Sequence, residues 1–277
     1  MILAVAGGKG GIGKTLVATS LTLANSPLQF LDCDVEEPNG HFFLRPRIRK
    51  TEAVSIPVPR FRKWKGEVCP AAADFCRYGA LAAVGEDMLV FPELCVACGG
   101  CFLLCPAGTL EPVDYQVGVV KKAVARSGIE YIGGELKVGS QRTTEVIRAV
   151  KDSLDPGRET VIDCPPGSGR PVLEAIRGSD FCLLVTEPTP FGLHDLRGNK
   201  KLLDILRVPG GVVINRSGTG YDGIQRWCRE ENLPVLAEIP FDRKLAAAAA
   251  RGRTLTDYNP DWVPRLRELR ETIKTKL

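Results

Sequence analysis

Two runs in this 277-residue chain have the residue types and spacing of chemical sites. The first, Gly8-Lys9-Gly10-Gly11-Ile12-Gly13-Lys14-Thr15, fits G-x-x-x-x-G-K-[ST] at every fixed position. Its glycines, with Ile12 between them, let successive backbone N–H groups curl around a β-phosphate, and a helix N-terminus adds positive potential. Lys14 would reach the β- and γ-phosphates, and the Thr15 hydroxyl would ligate Mg²⁺. The metal then needs a carboxylate at the end of a neighbouring strand. Asp163, in Val161-Ile162-Asp163-Cys164-Pro165-Pro166-Gly167, has that place, and Asp34 at the tip of the second strand is the next candidate near the γ-phosphate.

The second run is Cys95-x₂-Cys98-x₂-Cys101-x₃-Cys105-Pro106, with Gly99-Gly100 giving a tight turn. Soft thiolates at this spacing suit an iron–sulfur cube, and the trailing proline belongs to the pattern. Zinc is the plainer alternative, since C-x₂-C also serves zinc. Upstream, Cys76 has the place of the fourth ligand of a first such motif. Walking back puts Ala72 at the third position, Cys69 at the second and Gly66 at the first, so two thiols are missing. The fourth cysteine of each paired motif ligates the other cluster. Cys76 therefore pairs with Cys95, Cys98 and Cys101 as one complete four-thiolate site. Cys69 and Cys105 are the remnants of a second site too poor in thiols for a standard cube. The remaining cysteines, Cys33, Cys164, Cys182 and Cys228, are scattered and receive no role.

The elements that must hold these runs follow from pattern. Apolar strands are expected at 2–6, 28–31, 160–162, 181–185, 211–214 and 235–239, and helices at 14–24, 141–153, 193–206, 221–231 and 243–250. Strands alternating with helices predict an α/β fold, a doubly wound parallel sheet covered on both faces. Between about 46 and 112, prolines, cysteines and basic residues interrupt the pattern, and no long helix fits. The expected organisation is a discontinuous P-loop domain, 1–57 and 118–277, interrupted by a small inserted iron–sulfur module at 58–117.

The second lysine, Lys9, in Lys9-Gly10-Gly11-Ile12-Gly13-Lys14-Thr15 resembles the deviant Walker A signature of the MinD/ParA/nitrogenase-iron-protein class of ATPases. Asp32-Cys33-Asp34 resembles the first switch of that class, and Asp163-Cys164-Pro165-Pro166-Gly167 its second switch and Walker B region. Val213-Ile214-Asn215-Arg216 looks like the strand whose Asn reads adenine, and Ile239-Pro240-Phe241-Asp242 like the loop beyond the base. Thr186-Glu187-Pro188-Thr189-Pro190-Phe191-Gly192-Leu193 is similar to the segment after the central strand of those class members that carry an inserted ferredoxin domain. The resemblance implies ATP/ADP and Mg²⁺ as cofactors beside one [4Fe–4S] cluster. It also implies a nucleotide-dependent homodimer in which Lys9 reaches the partner's phosphates, offsetting developing charge as an arginine finger does. In MinD-like members the first switch ends in a water-positioning Asp. Here the matching residue is His41, with Glu36 or Glu37 as substitutes, so hydrolysis is expected to be slow or dependent on a partner protein.

Composition sets outer limits. Apolar residues make up 44%, charged residues 25% and the formal net charge is +4, as in an ordinary globular protein. No apolar run approaches the ~18 residues of a membrane span. The start, Met1-Ile2-Leu3-Ala4, has no basic leader, which reads as cytoplasmic, and ten cysteines then point to metal ligands or catalytic thiols rather than a disulfide framework. Eight basic residues (Arg45, Arg47, Arg49, Lys50, Arg60, Arg62, Lys63, Lys65) face only Glu52 between 45 and 65. Balanced charge elsewhere argues for a solvated linker or an acidic redox partner rather than nucleic acid. Trp262, Leu266, Leu269, Ile273 and Leu277 share one helical face, read as a terminal helix packed on its own domain rather than a membrane anchor. The expected function is a nucleotide switch coupled to a [4Fe–4S] module, acting on a redox or metallocofactor protein. The rivals are a spatial-organisation ATPase with a vestigial metal module and an ApbC-like iron–sulfur carrier.

Overall fold

The computed structural model describes residues 1–62, 68–218 and 220–277. Lys63, Lys65 and Gly66, named above, lie outside the described residues. The chain divides into two compact units. The larger comprises 1–52, 120–135 and 143–277; the smaller comprises 53–119 and 136–142.

In chain order the elements begin with β1 (Ile2–Ala6), α1 (Lys14–Ala24), β2 (Gln29–Asp32), α2 (Gly40–Leu44) and β3 (Arg47–Phe61). Next come α3 (Pro70–Phe75), β4 (Leu81–Val84), β5 (Asp87–Val90), α4 (Gly100–Leu104), β6 (Leu110–Val124) and β7 (Glu130–Leu136). The alternating part follows as α5 (Thr143–Asp152), β8 (Thr160–Asp163), α6 (Arg170–Ile176), β9 (Phe181–Thr186) and α7 (Pro190–Leu206). It ends with β10 (Gly210–Ser217), α8 (Gly223–Glu230), β11 (Val235–Pro240), α9 (Arg243–Ala249), α10 (Leu255–Tyr258) and α11 (Trp262–Lys274).

Among the described residues one sheet has the order β11-β10-β9-β1-β8-β2-β7-β6-β3, and every neighbouring pair from β11 to β7 is parallel. Central strands read as unbroken apolar runs because both faces are covered: β9 is buried at all six positions. The carboxyl ends of β1, β2 and β8 lie side by side, with Val5 opposite Asp163 and Asp163 opposite Asp32. Such a cluster of strand ends is where open α/β sheets bind ligands. The terminal helix packs as expected at Trp262, Leu266, Leu269 and Ile273, which are buried in the main core, whereas Leu277, read on the same face, lies beyond the helix end and is exposed. Among the described residues no helix is long and apolar enough to cross a membrane.

The segment read as a linker proves to be structured. Residues 47–61 form β3, a 15-residue strand. It ends the sheet, and an edge strand tolerates the features that disguised it: Pro57 and Pro59, which cannot complete a ladder, and the exposed Arg47, Arg49 and Lys50. The smaller unit has a β4–β5 antiparallel hairpin, two short helices and a small core of Cys69, Ala72, Leu81, Met88 and Leu110. Its second segment is tied to the first by the Lys137 N–H donating to Val117 O (2.8 Å) and the Arg142 guanidinium donating to Leu94 O (3.3 Å).

Candidate functional site

The glycine-rich turn runs from β1 into α1 and curls through left-handed residues, Gly11 at φ +74° and Gly13 at φ +99°. A β-carbon on Gly13 would collide with the Asn215 amide, and one on Gly8 with Asp195 in α7. Beside Gly10 and Gly11 the space is open, so there the backbone itself can approach a ligand. Lys14 is buried, and its ammonium donates to Lys9 O at 3.1 Å, inside the turn.

A cavity of about 690 Å³ opens on this turn. Gly10, Gly11, Gly13, Lys14 and Thr15 line it together with Asp34, Asn215, Pro240, Phe241 and Asp242. The P-loop, first-switch, asparagine and far-side-loop candidates thus converge on one space. Asn215 also clamps the turn to β10: its Nδ2 donates to Ile12 O (2.8 Å), and its Oδ1 accepts from the Arg216 N–H (2.9 Å). Ile12 is itself buried.

His41 does not line this cavity. It is exposed on α2 and borders a separate cavity of about 310 Å³ with Arg45, Lys121 and Tyr131. Position counting alone placed it at the water-positioning site, but the chain turns into α2 at Gly40, before that residue. Of the two substitutes, Glu37 lines the cavity beside the glycine-rich turn, whereas Glu36 accepts a hydrogen bond from the Thr143 hydroxyl (2.8 Å).

Beneath the turn lie buried carboxylates. Burial pushes Asp163 well above the ordinary carboxylate range and the neighbouring Asp32 charge adds to the rise; Thr15 and Lys14 oppose it. Neither Asp163 oxygen has a hydrogen-bond partner of ordinary geometry. Asp32 is also raised by burial, against the Gly40 N–H (2.9 Å) and the Tyr131 hydroxyl (3.1 Å), which both donate to its Oδ2. Asp34 is pushed up to about 6 by burial, with Lys14 pulling down. A buried carboxylate without a partner, next to a threonine hydroxyl, fits a divalent cation.

Lys9 is ion-paired within its own chain, to Glu187 at the end of β9. Glu187 is buried and also takes the Arg216 guanidinium at 2.8 Å; the same Arg216 donates to Gly11 O at 2.9 Å. Sequence reasoning gave Glu187 no role. The available signal was a glutamate directly after a fully apolar strand, a charge that burial obliges to find partners.

In the smaller unit Cys76, Cys95, Cys98 and Cys101 line one cavity of about 220 Å³ with Phe75, Tyr78 and Phe102. Burial pushes the Cys101 thiol up, and Cys95 and Cys98 add to the rise. The loop is shaped by Ala97 in the left-handed region (φ +52°), its N–H directed at Cys95 Sγ (3.4 Å), and by Gly99 (φ +75°), the N-cap of α4. Among the described residues no three His, Cys, Asp or Glu side chains converge tightly enough to hold a single metal ion. Cys69 and Cys105 stand apart from this cavity and are joined to each other by a disulfide, with a Cα–Cα distance of 5.7 Å. The cysteine pattern points to metal ligands or catalytic thiols rather than a disulfide framework; Cys69 and Cys105, expected as remnants of a second cluster site, are bonded to one another instead.

Residues 3–255 match the family described as the CobQ/CobB/MinD/ParA nucleotide binding domain. An uncharacterized protein of Methanocaldococcus jannaschii is 27% identical over 94% of this chain and 93% of its own length. The iron–sulfur cluster carrier protein of Pyrococcus abyssi is 25% identical over 92% of this chain and 79% of its own length. Among solved structures, the MinD septum site-determining protein of Pyrococcus horikoshii with Mg-ADP has a TM-score of 0.59 at 16% identity, covering 100% of this chain and 98% of that one. That likeness is one of fold. With a P-loop turn closed by Asn215, a parallel sheet and a match across most of its length, the chain belongs to the CobQ/CobB/MinD/ParA family of nucleotide-binding domains.

Proposed function

We propose that the chain is an ATP-dependent switch whose nucleotide state governs a [4Fe–4S] cluster held in the inserted, ferredoxin-like segment 58–117, serving electron transfer or metal-cluster assembly. One observation carries the reading. Four thiols from separate stretches, Cys76 and the Cys95–Cys98–Cys101 run, share a single cavity in a chain that also has a P-loop. At about 220 Å³ that cavity far exceeds the roughly 10–15 Å³ that admits one water, and its donors are soft, so the residues fit a polynuclear iron–sulfur group.

In this reading the N–H groups of Gly10 to Thr15 and the Lys14 ammonium bind the phosphates, and Thr15 with Asp163 holds Mg²⁺. Pro240, Phe241 and Asp242, with Asn215, flank the base. Lys9 leaves Glu187 and reaches the partner's phosphates in a nucleotide-dependent homodimer. Glu37 orients the attacking water. The cluster supplies one-electron redox chemistry, while Cys76, Cys95, Cys98 and Cys101 set its position and the Ala97 N–H tunes the sulfur of Cys95.

The name borne by the Pyrococcus abyssi relative favours a second reading, an iron–sulfur carrier in which the cluster is cargo. Both are tested on protein prepared without oxygen. Iron and acid-labile sulfide in equal amounts, lost in Cys76→Ala, support a four-thiol cluster, and a visible band bleached by dithionite supports the redox reading. Transfer of the cluster to an apo-acceptor, abolished by Lys14→Ala, selects the carrier. A colourless protein holding zinc or no metal would refute both.

A further inference from the structure

Cys69 and Cys105 lie 36 residues apart in sequence, yet they are bonded to one another and take no part in the four-thiol cavity. Their places in the fold are specific. Cys69 is the N-cap of α3 and Cys105 the C-cap of α4. These two helices also present the cavity, since Cys76 caps the other end of α3 and Cys101 lies within α4. The bridge therefore joins the two short elements that bring Cys76 and Cys101 to the cavity.

The two sulfurs differ in access. Cys69 is buried at 7% exposure among Ala72, Leu81, Met88 and Leu110, whereas Cys105 is half-buried. Leu103 and Leu104, immediately before Cys105, are exposed and give an apolar approach to it. Thiol–disulfide exchange depends on which sulfur an incoming thiolate can reach, and Cys105 is the more exposed residue of the two.

We propose that Cys69–Cys105 is a two-electron redox site that exchanges with a dithiol partner, entering at Cys105. A partner thiolate attacks Cys105 Sγ, the Cys69–Cys105 bond breaks, and Cys69 leaves as a thiolate that takes up a proton. The resulting mixed disulfide is resolved by the partner's second thiol, which loses its proton and attacks its neighbouring sulfur, releasing Cys105 to be protonated. One disulfide is reduced here as one dithiol is oxidised in the partner, with two electrons and two protons passing between them. Opening the bridge unties α3 from α4 at the ends remote from each other in sequence, so its state bears on the cavity between them. The site stands whether or not the cavity carries iron.

The test uses the full chain, prepared without oxygen and equilibrated in mixtures of reduced and oxidised dithiothreitol before every free thiol is mass-tagged. Cys69 and Cys105 are expected to pass together from protected to tagged as the mixture becomes reducing, and to return when it is reversed. In single variants challenged with glutathione disulfide, Cys105 of Cys69→Ser should form the mixed disulfide at least about tenfold faster than Cys69 of Cys105→Ser. A bridge still closed in the folded chain at about 1,000-fold excess of reduced dithiol would overturn the proposal. So would free tagging of either cysteine in the oxidised chain, equal reactivity of the two variants, or iron retained by Cys69 and Cys105. The wild-type titration is independent of whether either variant folds.

Discussion

Removing the negative charge of Glu187 should strengthen nucleotide-dependent dimerisation. Lys9 is 47% exposed and Glu187 9%, so the pair is half at the surface, and Arg216 remains beside Glu187 when Lys9 departs. Under those conditions an ion pair is worth about 1 kcal/mol, the upper end for exposed pairs. In the proposed dimer Lys9 must forgo it before crossing to a partner. Glu187→Gln deletes that cost, and 1 kcal/mol is about fivefold in an equilibrium constant. Two lysines cross per dimer, so the dissociation constant in MgATP should fall about 25-fold. The Arg216 charge, left without its carboxylate, repels Lys9 and acts in the same direction. Sedimentation velocity across a protein dilution series measures the shift, and the same substitution in a Lys9→Ala background should show none. An unchanged or weaker dimer in Glu187→Gln would refute the reasoning, because the contact would then be no restraint on Lys9.

Three further outcomes are expected. MgATP at about 100 times its dissociation constant should stabilise the chain by about 2.7 kcal/mol, a rise in Tm of several degrees, and Lys14→Ala should abolish the shift in a thermal scan. Glu37→Gln should lower ATP turnover about 100-fold with nucleotide binding intact, while His41→Ala leaves turnover unchanged; the opposite ranking would restore His41 to the site. For pH, the native Asp34 carboxyl is raised to about 6 from an unfolded value of 3.8, so between these the folded state binds more protons than the unfolded one. Stability of the chain in EDTA should therefore fall as pH rises from about 4 to 6, by no more than about 2 kcal/mol for this partly exposed group, with raised Asp163 and Asp32 extending the fall upward. Denaturant titrations at a series of pH values measure it, and Asp34→Asn should flatten the profile.

The parallel core was legible because its strands are short apolar runs punctuated by glycine and acid: β1 and α1 begin and end where the pattern placed them. The nucleotide cavity was legible for a related reason, since backbone geometry at Gly11 and Gly13 admits few other residues. β3 was hidden because an edge strand needs neither strict alternation nor a complete ladder, and its arginines read as solvent-facing linker. Counting along the first switch reached His41, which borders a different cavity, because spacing alone says nothing about where a helix starts. The Glu187 contacts, and the bond between Cys69 and Cys105, are products of long-range folding, which no local pattern encodes.

The smaller unit draws on two stretches, 53–119 and 136–142, and the second is pinned through Lys137 and Arg142. It is therefore not a cassette with one entrance and one exit. A graft of 58–117 into another host would arrive without its own clasp, and a deletion of the same span would leave that clasp behind as an unpartnered loop between β7 and α5.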